Sequence, residues 1–242
     1  MLILVPPSEG KAEGGRAGSA WDPSSGASGR ALGPMRHQVA DALRRTKGGT
    51  EKLLGVKGPA LARARAANMS LVGSPTLPAW QRYTGVVWDH LDLASMPAAD
   101  RSAATKRLFV PSGLMGLVRS DEPVPDYKLK MGASLPGTGR LSAWWREALT
   151  DELIRVARRA GTIVDLLPQE HAAAVDWERL SGVVRVVHVD LVSKAPSGRV
   201  GGHDAKAAKG LLARRLLDAD PKAPVAGTVS GFRHPQYAAR IR

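Results

Sequence analysis

Six of the ten residues in 183–192 are valine. A run so rich in β-branched side chains belongs in a sheet, and its near-continuous apolar character reads as a central strand covered on both faces. The chain must therefore supply helices to cover it. Residues 2–5, closed by Pro6-Pro7, together with 108–110 and 162–167, read as further short strands, and 127–131 alternates like one. Between them lie helical periods. Met35, Val39 and Leu43 repeat over about 34–46, with Pro34 in the first turn and Gly48-Gly49 as the stop. Leu141, Trp145, Leu149 and Leu153 repeat over about 140–160. Residues 76–92, which carry Trp80, Tyr83 and Trp88 on one helix, 98–106 and 203–217 also read as helices. Residues 12–33, rich in Gly, Ser and Ala, read as a mobile surface loop, and the tail from 221 as weakly structured with short strands. No repeat and no clear linker divides the chain. The expectation is one domain over 1–242, of the mixed α/β (α+β) class.

Several chemistries are excluded at once. With Cys 0, the chain has no disulfides, thiolate metal sites or cysteine nucleophile. The six histidines (37, 90, 171, 188, 203, 234) form no close pair, so no metal is expected, and no cofactor loop is present. No apolar run approaches the ~18–20 residues of a membrane span. The N-terminal apolar stretch ends at Pro6-Pro7 and lacks a basic leader, so no signal peptide is expected, and the absence of cysteine points to a cytoplasmic address. One nucleophile pattern matches, Ser8-Glu9-Gly10-Lys11 as S-x-x-K, but it follows a strand and two prolines, and its usual partner motifs are absent.

Charge is more informative. Lys+Arg 35 against Asp+Glu 22 gives a net of +13, which favours a polyanionic partner. Residues 36–65 hold eight cations against Asp41 and Glu51, and 194–215 hold six against Asp204, local nets of +6 and +5. The first block contains Gly55-Val56-Lys57-Gly58-Pro59 between two helical stretches. A tight turn there aims backbone N–H groups and a helix N-terminus at one point, a sequence-independent phosphate site that Lys57 and Arg63 would reinforce. It resembles a helix-hairpin-helix turn, with Lys57 where that motif has no such insertion. Gly210, within the second block, costs helix stability and so implies close approach by something, without saying what.

The landmarks of the chain together resemble the YaaA family of peroxide-stress proteins. They are the opening strand with Pro6-Pro7-Ser8-Glu9-Gly10-Lys11, Ser112-Gly113-Leu114-Met115-Gly116 followed by Arg119, and Tyr127-Lys128-Leu129-Lys130-Met131-Gly132. The Trp145 helix, Asp165-Leu166 leading to Glu170, and Lys206-Ala207-Ala208-Lys209-Gly210 complete the series. The resemblance implies a single domain of central strands wrapped by helices, the cantaloupe-type fold, with a helix-hairpin-helix element at about 50–68. It also implies a positively charged cleft, binding of double-stranded DNA, and protection against peroxide by limiting iron-driven damage. Family members carry Tyr where His171 stands and Arg where Lys209 stands.

Two functional expectations follow. The first is a non-sequence-specific double-stranded DNA-binding protein, monomeric and not an enzyme, that contacts phosphates through Lys11, Gly55, Lys57, Gly58, Arg63, Arg119, Lys206 and Lys209. The second is an enzyme acting on a phosphorylated or nucleic-acid substrate, with Ser112, Tyr127 and Glu170 beside Lys11 and Lys206 in a polar cleft. Convergence of the second set in one pocket would favour chemistry.

Overall fold

In the computed structural model, which describes residues 1–195 and 202–242, the valine-rich run forms the strand Arg185–Ser193. It has a neighbour on each side, Thr162–Asp165 in parallel and Tyr237–Ile241 antiparallel. The order across the six-stranded sheet is Tyr237–Ile241, Arg185–Ser193, Thr162–Asp165, Leu2–Leu4, Leu108–Ser112, Gly116–Arg119. The run thus lies second from one edge, not at the centre. The edge beside it is the C-terminal strand, whose Tyr237 is buried. Leu2–Leu4 takes the central place, with Ile3 and Leu4 fully buried.

Four of these strands are parallel. In chain order they lie 4-3-1-2, so the connections on either side of Leu2–Leu4 run in opposite directions. A reversal of this kind opens a crevice beyond the carboxyl ends of the two strands that flank it, here Leu2–Leu4 and Thr162–Asp165.

Eleven α-helices surround the sheets among the described residues. One hydrophobic cluster joins sheet and helices and includes Trp21 and Trp145. The helix Leu141–Ala157 follows its sequence period, with Leu141, Trp145, Leu149 and Leu153 all fully buried. Trp145 Nε1 donates to the Gly113 carbonyl at 2.9 Å, tying this helix to the turn between Leu108–Ser112 and Gly116–Arg119. Gly210 is packed where its helix, Gly202–Asp218, crosses Val86–Leu91. A Cβ there would lie 2.3 Å from the Val87 carbonyl oxygen, so only glycine permits this crossing.

Some local readings are corrected. The first long helix starts earlier, at Gly29, and holds Pro34 within it. The preceding stretch is no loose surface loop: Trp21 is 1% exposed, and Ala20 bridges to Pro75. Residues 76–92 are not one helix but Thr76–Pro78, Ala79–Arg82, Tyr83–Thr84 and Val86–Leu91 in succession. The break comes where Tyr83–Thr84 leaves the helical path to pair with Gly10–Lys11, and Gly85 follows at φ 105, a value closed to most residues. Residues 126–130 form no ladder although their alternation is real: Tyr127, Leu129 and Met131 are buried while Lys128 and Lys130 are half-buried along the hollows.

Candidate nucleic-acid interface

The first side chain at the crevice is Lys11. Pro6-Pro7 ends the first strand, and the chain then pairs Lys11 with Tyr83 in a short antiparallel ladder. This pins the Lys11 ammonium 4.0 Å from the centroid of the Tyr127 ring, with Nζ donating to the Ser8 carbonyl at 3.1 Å. Desolvation, followed by repulsion from Lys128 and then Arg82, outweighs attraction by Asp126 and Glu9. It pushes the Lys11 pKa down to about 7.

Three hollows adjoin one another here. The first, 220 Å³, lies between Lys11 and the face of helix Gly58–Met69 that carries Ala60, Arg63 and Ala67. The second, 40 Å³, shares Glu9, Lys11, Tyr127 and Lys128 with it and reaches Lys130, Glu170 and His171. The third, 740 Å³, continues from Lys130 and Glu170 along Lys52, Arg140 and Arg146. Together they form one furrow lined by seven basic side chains (Lys11, Lys52, Arg63, Lys128, Lys130, Arg140, Arg146), of which Lys11 holds its proton weakly, against three carboxylates (Glu9, Asp126, Glu170).

Two helices and a short turn stand on its rim. Thr50 Oγ1 accepts from the Leu53 N–H at 3.2 Å and caps Glu51–Leu54, and Gly55 ends that helix at φ 67. Lys57 then takes the N-cap position of Gly58–Met69 without a side-chain hydrogen bond, and a proline follows in the first turn. Leu54, Leu61 and Ala64 close a small cluster of their own beneath the turn. Gly55 lies close to Lys130, whose Nζ would be 3.3 Å from a Cβ at that position.

The expected phosphate-binding residues therefore divide. Lys11 and Arg63 line the furrow, and Gly55, Lys57 and Gly58 form its rim. Arg63 already pairs with Glu13 at 2.7 Å and Asp126 at 3.4 Å. Lys209 reaches the end of Thr162–Asp165, where Nζ donates to the Leu166 carbonyl, and burial lowers its pKa. Lys206 is exposed one turn earlier on the same helix. Arg119 stands apart. It pairs in register with Phe109, near the amino end of that strand and away from the crevice, and both its Nε and Nη2 bond Asp121 at 2.6 and 3.1 Å.

The +6 block also contributes less surface charge than its count suggests, because Arg36 is fully buried. It donates to the carbonyls of Met115, Pro23, Ser25 and Leu117 at 2.8–3.1 Å, and burial lowers its pKa to about 10. Of the second block, Arg199 lies outside the described residues. Lys128, Lys130, Arg140 and Arg146 join the groove although they lie outside both charge blocks of the sequence. The alternation at 127–131 held the signal for the first two, since it sets both lysines opposite a buried face.

The alternative catalytic set converges in part. Tyr127 and Glu170 line the same hollow as Lys11, and Ser112 lies behind them. Ser112 Oγ is 2.7 Å from the Tyr127 hydroxyl, which is 3.0 Å from that of Tyr83, and it also accepts from the N–H groups of Leu114 and Met115. That serine is fully buried and holds a turn, so it is no exposed nucleophile. Glu170 accepts from the Gly132 N–H at 2.7 Å. The S-x-x-K pairing does not form either: the Ser8 hydroxyl donates to the Thr84 carbonyl, and Lys11 takes the Ser8 carbonyl instead. His171 Nδ1 is buried with no partner, and burial lowers the His171 pKa to about 4.

Fold and furrow thus define a mixed α/β protein with a basic cleft at the point where its strand order reverses. Among the described residues, no three His, Asp or Glu side chains are grouped so as to hold a metal ion. No helix among them is long and apolar enough to cross a membrane. The chain belongs to the peroxide stress protein YaaA family, whose sequence model matches residues 1–240. It is similar to a UPF0246 protein of Streptomyces coelicolor, at 38% identity over 221 residues, which cover 90% of this chain and 83% of the relative. A UPF0246 protein of Corynebacterium efficiens is 34% identical over 238 residues, 95% of this chain and 90% of that one.

Proposed function

We propose that this protein binds the backbone of double-stranded DNA without reading its sequence, and so limits iron-driven damage during peroxide stress. The observation that carries the reading is the continuous furrow, with six cations besides Lys11 against three carboxylates and a helix–turn–helix rim. In this reading the rim acts as a helix-hairpin-helix element within a cantaloupe-type domain. The first N–H groups of Gly58–Met69 lack intrahelical partners, point outward beside exposed Lys57, and take a phosphate. Lys128, Lys130, Arg140 and Arg146 neutralise phosphates further along. Among the described residues that line this furrow Tyr127 is the one Phe, Tyr or Trp side chain, short of the interleaved pattern of single-strand readers, which favours duplex. The protein acts as a cytoplasmic monomer, and its effect on iron is indirect.

The test is a salt titration of duplex binding with several unrelated sequences. Log K falls by about 0.9 per phosphate neutralised for each logarithm of salt, equally for all sequences, and Lys57→Glu weakens binding. A flat salt response, or full affinity in Lys57→Glu, contradicts the reading.

A second reading, an enzyme on a phosphorylated or nucleic-acid substrate, is favoured by one observation. Lys11, Tyr127 and Glu170 face a single hollow.

A further inference from the structure

The Lys11 amine differs from the other cations of the furrow. It is fixed by the Gly10–Lys11 ladder, packed against an aromatic face, and opens onto two hollows at once. The charged groups around it come from every neighbouring element. Glu9 lies on its own segment, and Arg82 and Tyr83 on the segment paired with it. Asp126, Tyr127, Lys128 and Lys130 lie on the extended stretch, Arg63 stands across the larger hollow, and Glu170 and His171 stand across the smaller one. Among these the positive neighbours and the loss of water favour the neutral amine, with a pKa of about 7. A neutral amine at physiological pH is a nucleophile toward carbonyl carbon. Close to it, Lys128 and Lys130 both hold the exposed carboxylate of Glu9, at 3.4 and 3.3 Å, so an anion of higher charge can exchange for that carboxylate.

We propose that Lys11 forms a Schiff base with an aldehyde carried beside a phosphate, with Lys128 and Lys130 taking the phosphate. That chemistry is shared by the ring-opened deoxyribose of an abasic site in DNA and by a free sugar phosphate. The DNA source, unlike the amine chemistry, rests on the proposed duplex binding. The Nζ lone pair adds to the carbonyl carbon, and the carbonyl oxygen takes up a proton as hydroxyl. The carbinolamine then loses that hydroxyl and the remaining amine proton as water, leaving a C=N bond. No oxidant or reductant is required.

Borohydride reduction tests this, because it converts the C=N bond into a stable amine that peptide mass mapping locates. The full-length protein is incubated with four probes in parallel: abasic-site duplex, undamaged duplex, deoxyribose 5-phosphate and deoxyribose. The expected result is one adduct per chain at Lys11 with the phosphorylated aldehydes. Deoxyribose should react much less and undamaged duplex not at all. Adduct is lost in Lys11→Met and in Lys11→Arg, with folding checked by circular dichroism. Its rate of formation rises with pH through about 7 and then levels off. An adduct with sugar phosphate but not with abasic duplex supports the amine site and assigns its source to the free metabolite. No adduct at Lys11, or equal labelling in Lys11→Met, overturns the proposal. If undamaged duplex still binds in a parallel titration, the DNA reading survives that failure. If duplex fails to bind while sugar phosphate labels Lys11, the DNA reading falls and the amine chemistry stands.

Discussion

Arg36 is fully buried and Lys11 half-buried, and the fold treats these two basic side chains in opposite ways. Arg36 meets four backbone carbonyls and so joins the helix Gly29–Arg45, the 23–25 stretch and the turn that follows Leu108–Ser112. Its planar fork matches that many acceptors, and the charge stabilises a fixed geometry. Lys11 meets one carbonyl, at the edge of an open hollow, and holds its proton weakly. The contrast shows why a count of basic residues is a poor guide to binding. Arg36, Arg82 and Arg107 all donate to backbone carbonyls inside the fold, whereas the furrow cations keep open hollow beside them even where they are engaged, as Arg146 is with the Ala173 carbonyl and Lys128 and Lys130 are with Glu9.

The largest expected effect lies on the structural side of this contrast. Arg36→Leu removes the donor and leaves buried carbonyls unpaired, so urea denaturation should show a loss of about 3–5 kcal/mol. Arg36→Lys keeps the charge but not the fork and should recover little of that. Unchanged stability in Arg36→Leu would show that the four bonds are not what joins these segments.

On the open side, replacing Lys128, Arg140 and Arg146 together with alanine should flatten the salt slope of duplex binding by about 0.9 for each phosphate that is no longer neutralised. A slope equal to that of the parent would move the DNA path off the furrow.

Lys11→Met probes the contrast through pH. The folded amine titrates at about 7 and an unfolded lysine at 10.5, so between those values only the unfolded chain holds the proton. Native stability from this group therefore rises with pH across that window. The substitution should stabilise most at pH 7 and below, with the gain fading toward pH 10.5. A pH-independent difference in thermal midpoints would contradict a weakly held proton.

Arg119→Ala should do least. Its partner Asp121 is near in sequence and both are partly exposed, so a cost under about 1 kcal/mol is expected, with no change in the salt slope. A lowered slope would make Arg119 a phosphate ligand despite its place near the amino end of Leu108–Ser112.

Much of the fold was legible in the sequence because local pattern and final burial agree. The Leu141, Trp145, Leu149 and Leu153 stripe is buried as its spacing demands, and Gly210 marks a true close approach. The 76–92 stretch was not legible, since its helical period is overridden by pairing between Tyr83–Thr84 and Gly10–Lys11, segments some 70 residues apart in sequence. The candidate site was half legible. Lys11 and the 55–58 turn could be picked out from local motifs, but Arg140 and Arg146 join the furrow only through the packing of Leu141–Ala157 beside Glu170. Arg36 and Arg119 show why: sequence shows a charge without its partner, here four backbone carbonyls and Asp121.

The most direct test of the basic furrow as a DNA path is amide hydrogen exchange of the protein with and without an undamaged duplex. Protection should appear at residues 55–60, 128–133 and 140–146, and not at 117–121. Protection confined to 117–121, or none in the furrow under conditions where the duplex is bound, would contradict it.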